Sequence, residues 1–205
     1  LQPPIYCYYA MSKVASERAV AESGLKYWAI VRQSFQIPNN PIAADYPIVA
    51  HMPQDTYGER MDAESSGNLM VQICLNAPEN FWRYGYHMGG GEDQRFDQYS
   101  YVKALHGNAR AGWSPKWLAT KNYHGCYFTD SDDLNEIVPY RLKDRAQFLK
   151  DELMNQIKLV KSKPRMTPEE VEAKNKRIAR KPGGTLWAID NNNEETIRVL
   201  WGSRE

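Results

Sequence analysis

The chain has 205 residues, with 26 Lys+Arg against 25 Asp+Glu and a formal net charge of +1, so no global field draws it towards nucleic acid or an acidic membrane surface. Its 42% hydrophobic, 12% aromatic and 25% charged residues are those of a chain that buries a core, which excludes disorder throughout. A membrane-spanning helix needs about 20 mostly apolar residues, and uncharged stretches such as Gln33 to Ala44 carry Ser, Gln, Asn and Pro instead.

Residues Tyr9 to Ser23 read as a helix, because Val14, Ala15, Ala19 and Val20 form an apolar stripe and Gly24 stands where helices commonly stop. Lys26 to Val31 is a short aromatic and β-branched run before the Pro38–Pro41 loop, and reads as a buried strand. A second helix is expected from Ala63 to Leu75, where Leu69, Met70, Ile73 and Cys74 recur at helical spacing and Pro78 ends the pattern. Phe81 to Met88 reads as a strand running into the Gly89-Gly90-Gly91 turn, and Phe96 to Leu105 as a helix after it.

From Asp132 onward the sequence turns to charged helix, around Leu134 to Val160 and again over Pro168 to Arg180. Thr167-Pro168-Glu169-Glu170 has the form of a capping box with proline at the first helical position. Pro182-Gly183-Gly184 breaks that helix, Thr185 to Ile189 is expected as a last strand, and Glu194 to Leu200 as a short helix. The run Asp130-Ser131-Asp132-Asp133 reads as a helix cap with dipole-favoured carboxylates rather than a cation site.

The most informative pair is Tyr9 and Lys13. Four-residue spacing puts both side chains on one helix face, and an ammonium beside a phenol favours the phenolate, the form that takes up a proton. The pair therefore has the makings of a general acid/base acting on a hydroxyl or carbonyl carbon. Tyr-x-x-x-Lys occurs by chance in many helices, so the context carries the reading: Ala15-Ser16-Glu17-Arg18, then Ser23-Gly24-Leu25-Lys26, then the run ending Ile30-Val31-Arg32.

With that context the chain resembles the extended short-chain dehydrogenase/reductase family, the NAD-dependent epimerase/dehydratase group. His87-Met88-Gly89-Gly90-Gly91-Glu92 is similar to the glycine turn in the family's substrate half, and the helix from Asp62 to Leu75 to the family helix after the cofactor-side loop. The resemblance implies Tyr9 as catalytic acid/base and Lys13 as its assistant and holder of the nicotinamide ribose of NAD or NADP. It also places Ser34, Phe35 and Pro38 beside the nicotinamide, and Gln36 near the substrate. Phe35 departs from the asparagine that many sugar-nucleotide members carry near this position.

The fold expected is α/β: the end of a Rossmann-type NAD(P)-binding domain with the catalytic helix over residues 1–50, an α+β substrate-binding cap over 51–130, and a helical tail over 131–205. A dinucleotide site needs a glycine-rich turn between strand and helix and an acidic residue about 20 positions on. The sequence has none, and Gly89–Gly91 is followed by Glu92-Asp93, whose charge repels a pyrophosphate. The chain is thus expected to be the C-terminal part of a longer enzyme, starting at Leu1 without an initiator methionine, with the N-terminal Rossmann portion as its partner. The family habit of packing catalytic helices implies a homodimer.

Other chemistry is thinner. Three scattered cysteines, Cys7, Cys74 and Cys126, make no framework, and reduced thiols with no leader segment fit a cytoplasmic protein. The four histidines never fall at a metal-ligand spacing. The basic run from Lys158 to Lys181 is interrupted by Glu169, Glu170 and Glu172 and lacks interleaved aromatics, so it reads as a solvated face rather than a nucleic-acid site. Tryptophans and tyrosines from Phe81 to Tyr127 fit core packing or an aromatic substrate cleft, in which Asn122 and His124 would orient a small-molecule substrate. Two rivals remain at this point: a non-catalytic relative serving as a binding or scaffold subunit, and a chance Tyr-x-x-x-Lys match in an unrelated α/β binding module.

Overall fold

A computed structural model describes residues 8–37, 47–53, 55–97, 113–121, 127–162 and 166–202. The chain divides into two compact units, one built from residues 1–40, 57–96 and 124–154, the other from 41–56, 97–123 and 155–205. Among the described residues it is a mixed α/β protein with seven α-helices and small parallel sheets.

In the first unit, helix α1 (Tyr8–Ala21) leads through Ser23 and Gly24 to strand β1 (Ala29–Gln33). Gly24 has φ +74°, a left-handed conformation that glycine adopts without a Cβ penalty. β1 pairs in parallel with β4 (Tyr84–Met88), with Ala29 opposite Tyr84 and Arg32 opposite His87. After the single residue Ser34 the chain changes sheets. Strand β2 (Phe35–Ile37) pairs in parallel with β3 (Tyr57–Asp62), which is also flanked by β5 (Arg95–Asp97).

Strand alternation gives the β1–β4 sheet two unlike faces. Ala29, Val31, Tyr86 and Met88 point into the main core, where they meet Leu69 and Ile73 of α2 (Ala63–Asn76), Phe81, and Leu134 of α3 (Ser131–Ile137). Ile30, Arg32, Gly85 and His87 occupy the other face by the same register. Asp62 caps α2, its carboxylate accepting from Ser65 N at 2.9 Å and Ser65 Oγ at 2.6 Å. Buried Arg60 lies between the rings of Phe96 and Phe148, 5.0 and 5.2 Å from their centroids, and 3.5 Å from Glu152.

The triple glycine is a tight turn wrapped around a buried carboxylate. Glu59, fully buried on β3, accepts from Gly91 N and Ser131 Oγ, both at 2.7 Å, and from Phe128 N at 3.0 Å. A Cβ on Gly89 would lie 2.1 Å from Glu59 Oε1, one on Gly90 would lie 2.3 Å from the Arg60 carbonyl oxygen, and Gly91 has φ +91°. Tyr140, also fully buried, donates to Gly89 O at 2.8 Å and accepts from Gly89 N at 3.2 Å.

The second unit holds the remaining helices. α4 (Arg145–Ser162) begins in the first unit; α5 (Pro168–Ala179), α6 (Thr185–Asp190) and α7 (Glu194–Trp201) follow. The capping box of α5 is complete: Thr167 Oγ1 accepts from Glu170 N, and Glu170 returns the bond to Thr167 N at 2.7 Å. Ala50, Leu118 and Ala179 form its core with Trp113 and Leu186. Trp201 Nε1 donates to Leu118 O at 2.8 Å, and Leu200 O accepts from Thr120 N and Lys121 N.

Three expectations change. Thr185 to Ile189 is helix, not strand: Gly184 presses against Ala179 O and reverses the chain, and the buried positions Thr185 and Ala188 are three apart, a helical period. Leu134 to Val160 is two helices, because Pro139 forces Val138 into an extended conformation (φ −134°, ψ 93°). Asn135 Oδ1 closes the break by accepting from Tyr140 N and Arg141 N, both at 3.1 Å. Phe96 lies in β5 rather than opening a helix, and residues 98–110 lie outside the described residues.

Candidate functional site

α1 carries Tyr9, Lys13 and Glu17 at four-residue intervals, so they form one stripe along the helix. Lys13 Nζ stands 5.2 Å from the centroid of the Tyr9 ring. Both side chains border a cavity of about 460 Å³ that α1 lines with Tyr9, Lys13, Ser16, Glu17 and Val20. All five residues of β1 form the opposite wall. Since inward- and outward-facing residues contribute alike, the cavity follows the edge of β1. Among the described residues that strand has one sheet neighbour, β4.

The site therefore runs between α1 and the full length of β1. Helix α1 buries none of its residues, and Tyr9, Val14 and Val20 are exposed. The apolar stripe read from the sequence is thus left at the surface of this unit.

A charged chain crosses the same sheet face. Arg32 grips Glu17 with two parallel bonds, Nε to Oε1 at 2.9 Å and Nη2 to Oε2 at 2.8 Å. Its third arm, Nη1, is 3.3 Å from His87 Nε2, and His87 Nδ1 lies 2.9 and 3.0 Å from the two carboxylate oxygens of Asp130. Phe128 stacks on the imidazole, centroids 4.3 Å apart and planes 6° from parallel. Hydrogen bonding from Arg32 holds the Glu17 carboxyl below the usual carboxylate range despite partial burial, and Glu17 in turn raises Arg32. Asp130 occupies the cap position of α3, but its side chain bonds no helix N–H and turns to His87 instead.

The other residues singled out by the sequence are dispersed. Ser34 N donates to Met88 O at 2.9 Å, and its hydroxyl is buried with no hydrogen-bond partner among the described residues. Phe35 is half exposed and meets Phe96 edge-on at 6.3 Å. Gln36 Nε2 donates to Ser34 O at 3.3 Å while its Oε1 accepts from Ser66 Oγ. Pro38, Asn122 and His124 lie outside the described residues. Among the described residues no three His, Cys, Asp or Glu side chains gather as a metal site, and no helix is long and apolar enough to cross a membrane.

Tyr9 and Lys13 present a hydroxyl and an ammonium to the cavity, groups suited to a ribose. The triple-glycine turn offers no pyrophosphate cradle, because Glu59 and Gln94 fill the space beside Gly89 and Gly90. It is followed by a three-residue 3-10 turn, Glu92–Gln94, rather than an α-helix.

The Glu17–Arg32–His87–Asp130 chain was not part of the expected site. Its signal in the sequence is slight: Glu17 continues the Tyr9–Lys13 spacing by one more turn, and Arg32 ends the strand run.

No family model and no curated protein matches the chain. Solved structures similar to it include UDP-N-acetylglucosamine 4-epimerase from Bacillus cereus, at TM-score 0.41 and 11% identity over 72% of this chain and 49% of that one. Another is UDP-glucose-4-epimerase from Stenotrophomonas maltophila with bound NAD and formylated UDP-arabinopyranose, at TM-score 0.47 and 12% identity over 76% of this chain and 56% of that one. The chain spans about half the length of these structures. At such scores the likeness is loose, and the functional reading rests on the chain's own residues.

Proposed function

We propose that the chain is the catalytic-helix and substrate-side portion of an NAD(P)-dependent epimerase, dehydratase or reductase acting on a hydroxyl or carbonyl carbon. The observation that carries this reading is the Tyr9–Lys13 pair on one helix face, bordering a cavity along the edge of β1. In this reading that edge accepts the N-terminal Rossmann portion of the enzyme, which brings the pyrophosphate cradle. The bound nicotinamide supplies hydride transfer. Tyr9 Oη gives or takes the substrate hydroxyl proton, Lys13 holds the ribose and presents positive charge beside the phenol, and Ser34 with the start of β2, Phe35 and Gln36, borders the substrate.

The rival reading, a non-catalytic binding subunit, draws on the filled glycine turn. Expression of the complete enzyme with Tyr9→Phe separates the two. General acid/base removal lowers kcat by about 10²–10⁴-fold, whereas a binding subunit shows no nicotinamide-linked turnover in either form.

A further inference from the structure

A 14-residue helix is marginal unless something holds it. α1 buries no residue, and of its residues only Ala10 and Glu17 are partly covered. Glu17 is also where the Arg32 fork closes on it. We propose that Glu17, Arg32, His87 and Asp130 form a polar clasp that fixes the rotation and axial position of α1, with His87 as its positioning residue and its ring proton on Nδ1.

The tautomer follows from the partners. A guanidinium only donates, so Nε2 of His87 accepts from Arg32; a carboxylate accepts, so Nδ1 donates to Asp130. Arg32 and His87 are register partners on adjacent strands, so their backbones are already held side by side. Stacking by Phe128 fixes the plane of the ring. The imidazole thus acts as a spacer: it takes the third arm of Arg32 and leaves the other two aimed at Glu17. One helical turn from Glu17 is Lys13, and one more is Tyr9, so whatever sets Glu17 sets the pair. The catalytic consequence rests on the proposed function, whereas the structural one does not.

The test begins with the 205-residue chain. Long-range ¹⁵N correlations on the neutral imidazole are expected to show His87 protonated at Nδ1, and an Nε2–H tautomer overturns the clasp. In His87→Leu, amides of α1 are expected to exchange about tenfold faster while those around Leu69 in α2 hold their rates. His87→Gln, whose side-chain oxygen can accept from Arg32, is expected to restore α1 protection. Unchanged α1 exchange in His87→Leu, or equal acceleration in α1 and α2, refutes the positioning role. In the complete enzyme His87→Leu is expected to lower kcat about tenfold or more with KM within about twofold, as for a misplaced catalytic group. An unchanged kcat overturns the catalytic consequence. If the exchange results hold but Tyr9→Phe leaves the enzyme fully active, the clasp stands and the acid/base reading fails.

Discussion

Replacing Glu59 with glutamine alters two atoms' chemistry and almost no volume. Three donors converge on its carboxylate: Gly91 N and Ser131 Oγ on Oε1, Phe128 N on Oε2. A glutamine can place its oxygen at the Oε1 position and keep two of these bonds, but its NH₂ then faces Phe128 N–H. Both donors are left without an acceptor. Hydrogen bonds to a charged group contribute about 1.5–3 kcal/mol, and an unsatisfied buried donor costs about 1–3 kcal/mol, so Glu59→Gln is expected to cost about 2–4 kcal/mol. The opposite amide orientation loses two bonds and does worse. Native-state hydrogen exchange at Leu69 and Met88, both fully buried in the main core, reads the loss as a fall in opening free energy. Retention of protection to within about 0.5 kcal/mol would show that the three bonds do not hold the turn, and would refute the reasoning.

Other expectations follow the same physics. Glu17 is held below its ordinary carboxylate range by Arg32, so its contribution is present above the unfolded value of about 4.3 and is lost as pH falls through the lower folded value. Protection of α1, corrected for intrinsic exchange, should be lower below the folded Glu17 value than above about pH 4.3; equal protection on both sides contradicts this. Burial raises the Tyr140 phenol against the opposing pull of Arg141, so its stabilisation is present below about pH 10 and erodes as pH rises further. Tyr140→Phe removes both bonds to Gly89 and should cost about 1–3 kcal/mol in chemical denaturation. Thr167→Ala breaks the capping box of α5 and should cost about 0.5–2 kcal/mol, seen as faster exchange in its first turn.

Local signals were legible and long-range ones were not. α2 was readable from its apolar spacing, and α5 from Thr167, Pro168 and Glu170, because each depends on residues within a turn or two. β1 starts at Ala29 instead of Lys26, since parallel pairing with Tyr84 decides where it begins while Tyr27 packs edge-on against Trp82 at 5.5 Å. Thr185 to Ile189 has strand-like composition, and its helical state depends on the reversal at Gly183 and Gly184. In the candidate site, Tyr9 and Lys13 are four residues apart and announce themselves. Arg32 and His87 are 55 positions apart, and His87 and Asp130 are 43. The parallel register of β1 and β4 brings Arg32 to His87, the cap of α3 brings Asp130, and no spacing rule encodes either.

The most direct measurement is steady-state turnover of the proposed complete enzyme with NAD or NADP, wild type against Tyr9→Phe, alongside binding of the cofactor to each. The expected result is a kcat lowered by about 10²–10⁴-fold with cofactor still bound; a kcat within about threefold of wild type would contradict the assignment of Tyr9 as the acid/base.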